Sequence, residues 1–484
     1  MQPGFQLLDN DLAERIITEA KTVLAEVGVD INDEQTRNLL ADHGAGVDRA
    51  DGRVRIGESM VEAALDSAPR SFSLYNVLDE ETHLFEGRRT HFTPGSAAIN
   101  ILDRLSGEIR PAVTSDLVAL AQLVSGLERY DAQSTAMVAS DVPEAVSDSY
   151  RLFLGLLHCE KPVVTGAFTI EGFSVIRDLL LAVRGSADEL AARPVAIVTC
   201  CPTSPLRWTN EGSRNLMDCA RLRIPAEIVP VPLTGFMAPV TLVGTLIQHT
   251  AEVLSGVVIA QLVQPGTPLL FGGSPAIFDV RYETTPMGAV ETTMLTCAAA
   301  EIGRRLELPT QGYIGLSDSK ALDAQAGLET GIGATLAALT GIDNVSGPGM
   351  LDFESCQSLE KLVVDHEICL MTDRLRAGIE PREDFPSRPL FEELLAEKHL
   401  LIADHTRRHL RSELTFPGPV VDRTSRARWL EEGAATLGDR AAREVDRIIA
   451  EYTPSRIDDD VRRELEEVMT TAARAHGMDT LPER

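Results

Sequence analysis

The 484-residue chain is poor in aromatic residues (2 Trp, 6 Tyr, 14 Phe) and in cysteine, of which it has 7. An odd cysteine count with no C-x-x-C pair offers no disulfide framework, and adjacent Cys200 and Cys201 are badly placed to bridge one another. Cys and His at zinc spacing are also lacking, so no metal site is expected and the thiols read as buried and reduced. Basic residues are scarce: 45 Lys and Arg against 73 Asp and Glu give a net charge of −28. That balance argues against nucleic acid or an anionic membrane as partner, and it is compatible with a cationic small molecule. No uninterrupted apolar run reaches the roughly 18 residues of a membrane helix. The opening MQPGFQLLDNDLAERI has no basic segment followed by an apolar one, so a cytoplasmic protein is expected. No G-x-G-x-x-G follows any strand candidate, which speaks against a nucleotide-binding doubly wound sheet.

What is present is a repeated order of strand, then helix. Strand candidates occupy residues 91–102, 132–139, 162–169, 194–200, 226–232, 268–272, 310–316 and 344–346. Apolar or amphipathic helix patterns lie between them, at 148–158, 173–184, 211–222, 240–263, 287–306 and 324–340, with another at 359–377 after the last strand. Eight strands alternating with helices predict a (β/α)₈ TIM barrel over residues 91–384. Residues 1–90 read as an N-terminal preamble of helices and a small hairpin at 71–84. Residues 385–484 read as a C-terminal helical extension, with charged helices at 425–451 and 458–476.

The stretch from Gly312 to Met350 has the densest set of candidate functional residues: a short strand, the polar patch Ser317-Asp318-Ser319-Lys320, a helix, and a second strand running into Gly347-Pro348-Gly349. In a barrel the loops after the strands carry the chemistry. Collecting them gives a small, glycine-rich and nearly uncharged set that includes Ser96, Gly273, Ser274, Gly347 and Gly349. It contains neither a catalytic triad nor a glycosidase-type carboxylate pair. Asp318 could neutralise a cationic substrate or cap the following helix, with Lys320 as its pair. Phe236, Phe271, Tyr313 and Phe353 stand near strand ends, either as core or as part of an aromatic cage for a quaternary ammonium. His249, in a long apolar helix, is either a hydrogen-bonded core residue or a ligand.

SDSKALDAQAGLE followed by GPGML resembles the trimethylamine methyltransferase (MttB) family, as do QHTAEVLSG and ADHTRRHLRSE, and the resemblance runs from about His91 to Glu451. It implies a corrinoid-dependent methyltransferase. The best-known members hold their substrate with pyrrolysine; motif position puts that residue near Leu328, which is therefore non-catalytic here and points to the branch that acts on quaternary amines such as glycine betaine. The resemblance further implies no tightly bound cofactor, a cobalamin (corrinoid) supplied by a cognate partner protein, and a homo-oligomer. On this reading Asp318, Tyr313, Phe236, Phe353, Gln325, His249 and Lys320 face the substrate, and Gly273, Ser274, Gly347 and Gly349 face the corrinoid. Arg281 is the guess for a substrate carboxylate. The alternative is a non-catalytic betaine-binding barrel.

Overall fold

Short runs rich in Val, Ile and Thr, each followed by a long helix, build the centre of the molecule. The computed structural model describes residues 3–48 and 52–483. Five strands form one parallel sheet, in the spatial order Leu269–Phe271, Ala226–Ile228, Ala196–Cys200, Val163–Gly166 and Gln133–Ser134. Three more, Gln311–Tyr313, Asn344–Ser346 and His91–Thr93, form a second. Isolated parallel bridges link their edge strands, Phe271 with Thr310 and Phe92 with Tyr130. Across the interior, Glu227 of the larger sheet accepts from Asn344 of the smaller at 3.1 Å. The two sheets therefore face one another.

Each parallel strand is followed by a helix, in order Thr114–Gly126, Glu144–His158, Ile170–Arg184, Asn210–Arg221, Leu242–Val263, Val290–Arg305, Ala324–Thr340 and Leu359–Ala377. Side-chain caps fix many of their starts: Asp323, for instance, accepts from the N–H groups of Gln325 and Ala326. The helix Leu242–Val263 is long and apolar enough to cross a membrane, but 78% of its apolar window is buried within the protein, as in a core helix.

Two expected elements divide. The strand expected at 91–102 is two, His91–Thr93 and Asn100–Leu102, separated by a loop that begins at Pro94-Gly95. The helix expected at 425–451 breaks at Gly433 (φ 93°) into Arg426–Glu431 and Leu437–Ala450. The hairpin Phe72–Tyr75 with Glu81–Phe85 forms as expected. Three short strands (Val29–Ile31, Gly46–Val47 and Arg53–Arg55) join Arg207–Trp208 in a sheet that sequence reading missed. That sheet pins the N-terminal segment to the loop after Ala196–Cys200. Helices Leu437–Ala450 and Asp459–Ala475 bury Val445, Ile448, Leu465 and Met469, packing back on the strand-covering helices.

Candidate active site

A cavity of about 320 Å³ opens at the C-terminal ends of the parallel strands. Its walls include Ser96 after the first strand, Phe168 after the third, Cys201 after the fourth, and Tyr313 at the end of the seventh. Arg151, from the helix Glu144–His158, closes one side. This guanidinium is only 4% exposed. It donates to Thr135 O (3.2 Å), Gly166 O (3.0 Å) and Asp148 Oδ1 (3.3 Å), and the Phe168 ring centroid lies 4.8 Å away. Burial pushes the Arg151 pKa down and that of Asp148 up, so each ion is incompletely compensated by the other. Tyr313 is buried, Ser96 lies close to its phenol, and burial pushes it well above the ordinary tyrosine range.

Two carboxyls, Glu227 and Glu354, lie near Tyr313, and a third, Asp318, lies near Glu354. Glu227 is fully buried, accepts from Thr199 Oγ1 (2.7 Å) and Asn344 Nδ2 (3.1 Å), and is pushed by burial to about 7. Asp318 accepts from the N–H groups of Met287 (2.8 Å) and Gly288 (2.9 Å), and burial raises it to about 6. Its carboxylate thus anchors the loop before Val290–Arg305, while Asp323 caps the helix that follows it. Glu354 ends a run of three left-handed residues, Asp352, Phe353 and Glu354, at φ 47°, 56° and 66°. Such backbone costs about 1–3 kcal/mol per residue and clusters at functional sites. It is held by Asp352 N–H donating to Ser319 O (2.9 Å) and by Ser355 Oγ donating to Asp352 Oδ2 (2.9 Å). Glu354 Oε1 is shut off from solvent without a partner, and burial together with the Asp318 charge raises the carboxyl to about 8.

Of the residues expected to face substrate, Tyr313 lines the cavity. Lys320 donates to Asp318 O (2.7 Å) and sits 3.8 Å over the Phe353 ring, so that aromatic face is already taken by a cation. Phe236 is 65% exposed and stacks on Phe278 with centroids 4.7 Å apart. Gln325 donates to Glu329 (2.9 Å), and Leu328 projects 63% exposed from the same helix. His249 is fully buried against Phe271, and burial lowers its pKa to about 3. A Cβ on Gly273 would lie 1.9 Å from the His249 ring, so only glycine fits there; Gly273 N–H donates to Gln311 Oε1 at 3.0 Å. Ser274 N–H bonds Pro230 O (2.9 Å), and Gly349 N–H bonds Asp365 Oδ2 (2.7 Å). Gly347 packs with no room for a Cβ beside Ile314 O. All four of these strand-end residues are buried. Arg281 is exposed and engaged by Asp279. Among the described residues no group of three or more His, Cys, Asp or Glu could hold a metal ion.

The strand-end set is therefore less neutral than the loops alone implied. Arg151, Glu227 and Glu354 were missed. For the first two a signal existed: Glu227 is the one charge in an apolar strand, and Arg151 leads into the apolar half of its helix one turn after Asp148.

The raised carboxyls fix the sign of a pH effect. Each binds its proton more tightly folded than unfolded, so its contribution to stability is full below the unfolded value, 3.8 for Asp318 and 4.5 for the two glutamates, and lost as pH rises through the folded one. Thermal midpoints should fall from about pH 5 to pH 8. Glu227→Gln should remove about 3 kcal/mol of that slope, read by thermal scans across the pH series.

Parallel strands alternating with helices, with a cavity at the carboxyl ends of the strands, are the layout of an α/β enzyme. The chain belongs to the trimethylamine methyltransferase (MTTB) family, which it matches over residues 1–477. It is 27% identical over 463 residues to trimethylamine methyltransferase MttB of Desulfitobacterium hafniense, covering 96% of this chain and 93% of that protein. It is also 27% identical over 466 residues to a glycine betaine methyltransferase of the same species, covering 96% of each. In fold it is similar to the crystal structure of monomethylamine methyltransferase (MtmB) of Methanosarcina barkeri. There the TM-score is 0.53 at 10% identity, with 98% of this chain and 89% of that chain covered.

Proposed function

We propose that the two parallel sheets close into one (β/α)₈ barrel, and that its cavity holds a quaternary amine while a methyl group leaves for the corrinoid of a separate protein. The edge bridges at Phe271–Thr310 and Phe92–Tyr130 and the Glu227–Asn344 bond across the interior support the closed ring.

The observation that carries the functional reading is a small cavity at the strand ends, open on one side, with an aromatic wall at Tyr313 and a buried carboxyl, Glu227, nearby. An onium ion is attracted to an aromatic face and to a negative field in a water-poor site. A methyl on such a nitrogen departs as a formal cation. Its C–N bond breaks with the electron pair left on nitrogen, the new carbon–cobalt bond takes its pair from the reduced cobalt, and the tertiary amine leaves neutral. No proton has to move in that step. The work left to the protein is to orient the methyl group and exclude water. Leu328, at the position the resemblance assigns to pyrrolysine, supplies no adduct, and a donor that is already quaternary needs none.

The partner's approach has a surface to match. Phe168, Val231, Phe236, Val240, Val280 and Tyr282 are exposed apolar residues on loops that follow the third, fifth and sixth strands, at the same end as the cavity. A rim of this kind marks a docking face. Phe236→Glu with Tyr282→Glu should lower the rate with limiting corrinoid protein by about tenfold to a hundredfold. Calorimetric affinity for the amine should stay unchanged.

The test of function is to incubate the protein with a quaternary amine and a reduced corrinoid protein. The demethylated tertiary amine and the methylated corrinoid should appear in equal amounts. Tight amine binding with no transfer to any corrinoid protein would leave a binding barrel in place of an enzyme.

A further inference from the structure

Arg151 is hard to reconcile with a cavity for a bare cation. It lines that cavity, is 4% exposed, and Asp148 is the carboxylate it pairs with, through one 3.3 Å contact. Asp148 is itself divided, since its other oxygen accepts from Phe168 N–H at 2.6 Å. A guanidinium has five N–H donors. Three bonds are made here, to Thr135, Gly166 and Asp148, and the buried Nε has no partner. A buried donor left unmade is costly, and a buried guanidinium in a cavity wall repels an onium ion that brings no negative charge of its own.

We infer that the donor is a zwitterion, a quaternary amine bearing a carboxylate, and that Arg151 is the specificity-determining residue that grips the carboxylate. Such a ligand satisfies both walls at once. Its carboxylate completes the free donors of Arg151, and its onium group lies toward Tyr313 and the carboxyl side. Phe168, stacked over the guanidinium and 61% exposed, shields that contact from water. Arg281, by contrast, stands outside the cavity with its guanidinium spent on Asp279. The inference rests on the quaternary-amine reading above and names its substrate class.

The test compares glycine betaine with its methyl ester, which keeps the trimethylammonium group and loses the negative charge, with tetramethylammonium as a third probe. By calorimetry the wild-type protein should bind the acid about a hundredfold more tightly than the ester. Arg151→Lys should weaken the acid about tenfold, and Arg151→Gln about a hundredfold, with the ester shifting less than about threefold, so that the two ligands converge. Equal wild-type affinities for acid and ester overturn the inference, as does an Arg151→Gln protein that weakens both alike. The wild-type ratio decides the matter even if the Gln variant, deprived of its bonds to Thr135 and Gly166, does not fold. A strong preference for the acid without methyl transfer leaves this inference standing and removes the enzymatic reading. Transfer from the ester as readily as from the acid does the reverse.

Discussion

Asp365→Ala should lower the free energy of unfolding by about 3–5 kcal/mol, a large effect for a residue that touches no ligand. Lys361 and Asp365 are one turn apart on the helix Leu359–Ala377 and are 0% and 1% exposed. The ammonium bonds the Asp365 carboxylate and Thr330 Oγ1 at 2.8 Å, while Asp365 Oδ2 also receives Gly349 N–H at 2.7 Å. Removing the carboxylate leaves an unpaired cation in the interior and frees the Gly347-Pro348-Gly349 loop at the strand ends. Replacing both ions together, Lys361→Met with Asp365→Leu, should recover most of the loss, because an apolar pair of similar volume avoids the desolvation of two charges. Equilibrium chemical denaturation reads both variants. A loss below about 1 kcal/mol for the single variant would show that the pair is reached by water in solution.

Tyr313→Ala should lower kcat/KM for methyl transfer by at least about thirtyfold, the equivalent of some 2 kcal/mol of cation–π attraction in a desolvated site. Water entering beside the onium ion adds to that. Tyr313→Phe keeps the ring and gives up only the hydroxyl beside Ser96, so it should stay within about threefold of wild type. Steady-state rates with saturating corrinoid protein separate the two. An alanine variant as active as the phenylalanine variant would remove the aromatic wall from the account.

Much of the architecture could be read from the chain because strands such as Val163–Gly166, Ala196–Cys200 and Leu269–Phe271 are short, mainly apolar and β-branched or aromatic runs, and because caps mark the helices. The expected helices at 324–340 and 359–377 match Ala324–Thr340 and Leu359–Ala377; Asp323 and Ser358 cap their starts, and Gly341 and Gly378 end them. The sheet of residues 29–31, 46–47, 53–55 and 207–208 escaped notice because strands of two or three residues carry no measurable alternation, and Arg207–Trp208 is contributed from far along the chain. Gly433, at φ 93°, interrupts a run that otherwise consists of helix formers.

The site was legible where it lies in one segment and obscure where it is assembled. The loop after Tyr313 announces itself by its polar patch. Glu227, by contrast, acquires its meaning from Thr199 and Asn344, 28 and 117 residues away, and Arg151 from backbone carbonyls 15 and 16 residues distant. A single charge in an apolar element looks the same in sequence whether it is neutralised in the core or turned toward a ligand.

The central claim is that the strand-end cavity is where the amine is held. The most direct measurement is a crystal structure of the protein grown with saturating glycine betaine. The account predicts the trimethylammonium group within about 6 Å of the Tyr313 ring centre, and carboxylate oxygens within about 3.2 Å of Arg151 nitrogens. Ligand bound at another surface, or the cavity filled by its own side chains at saturation, would contradict it.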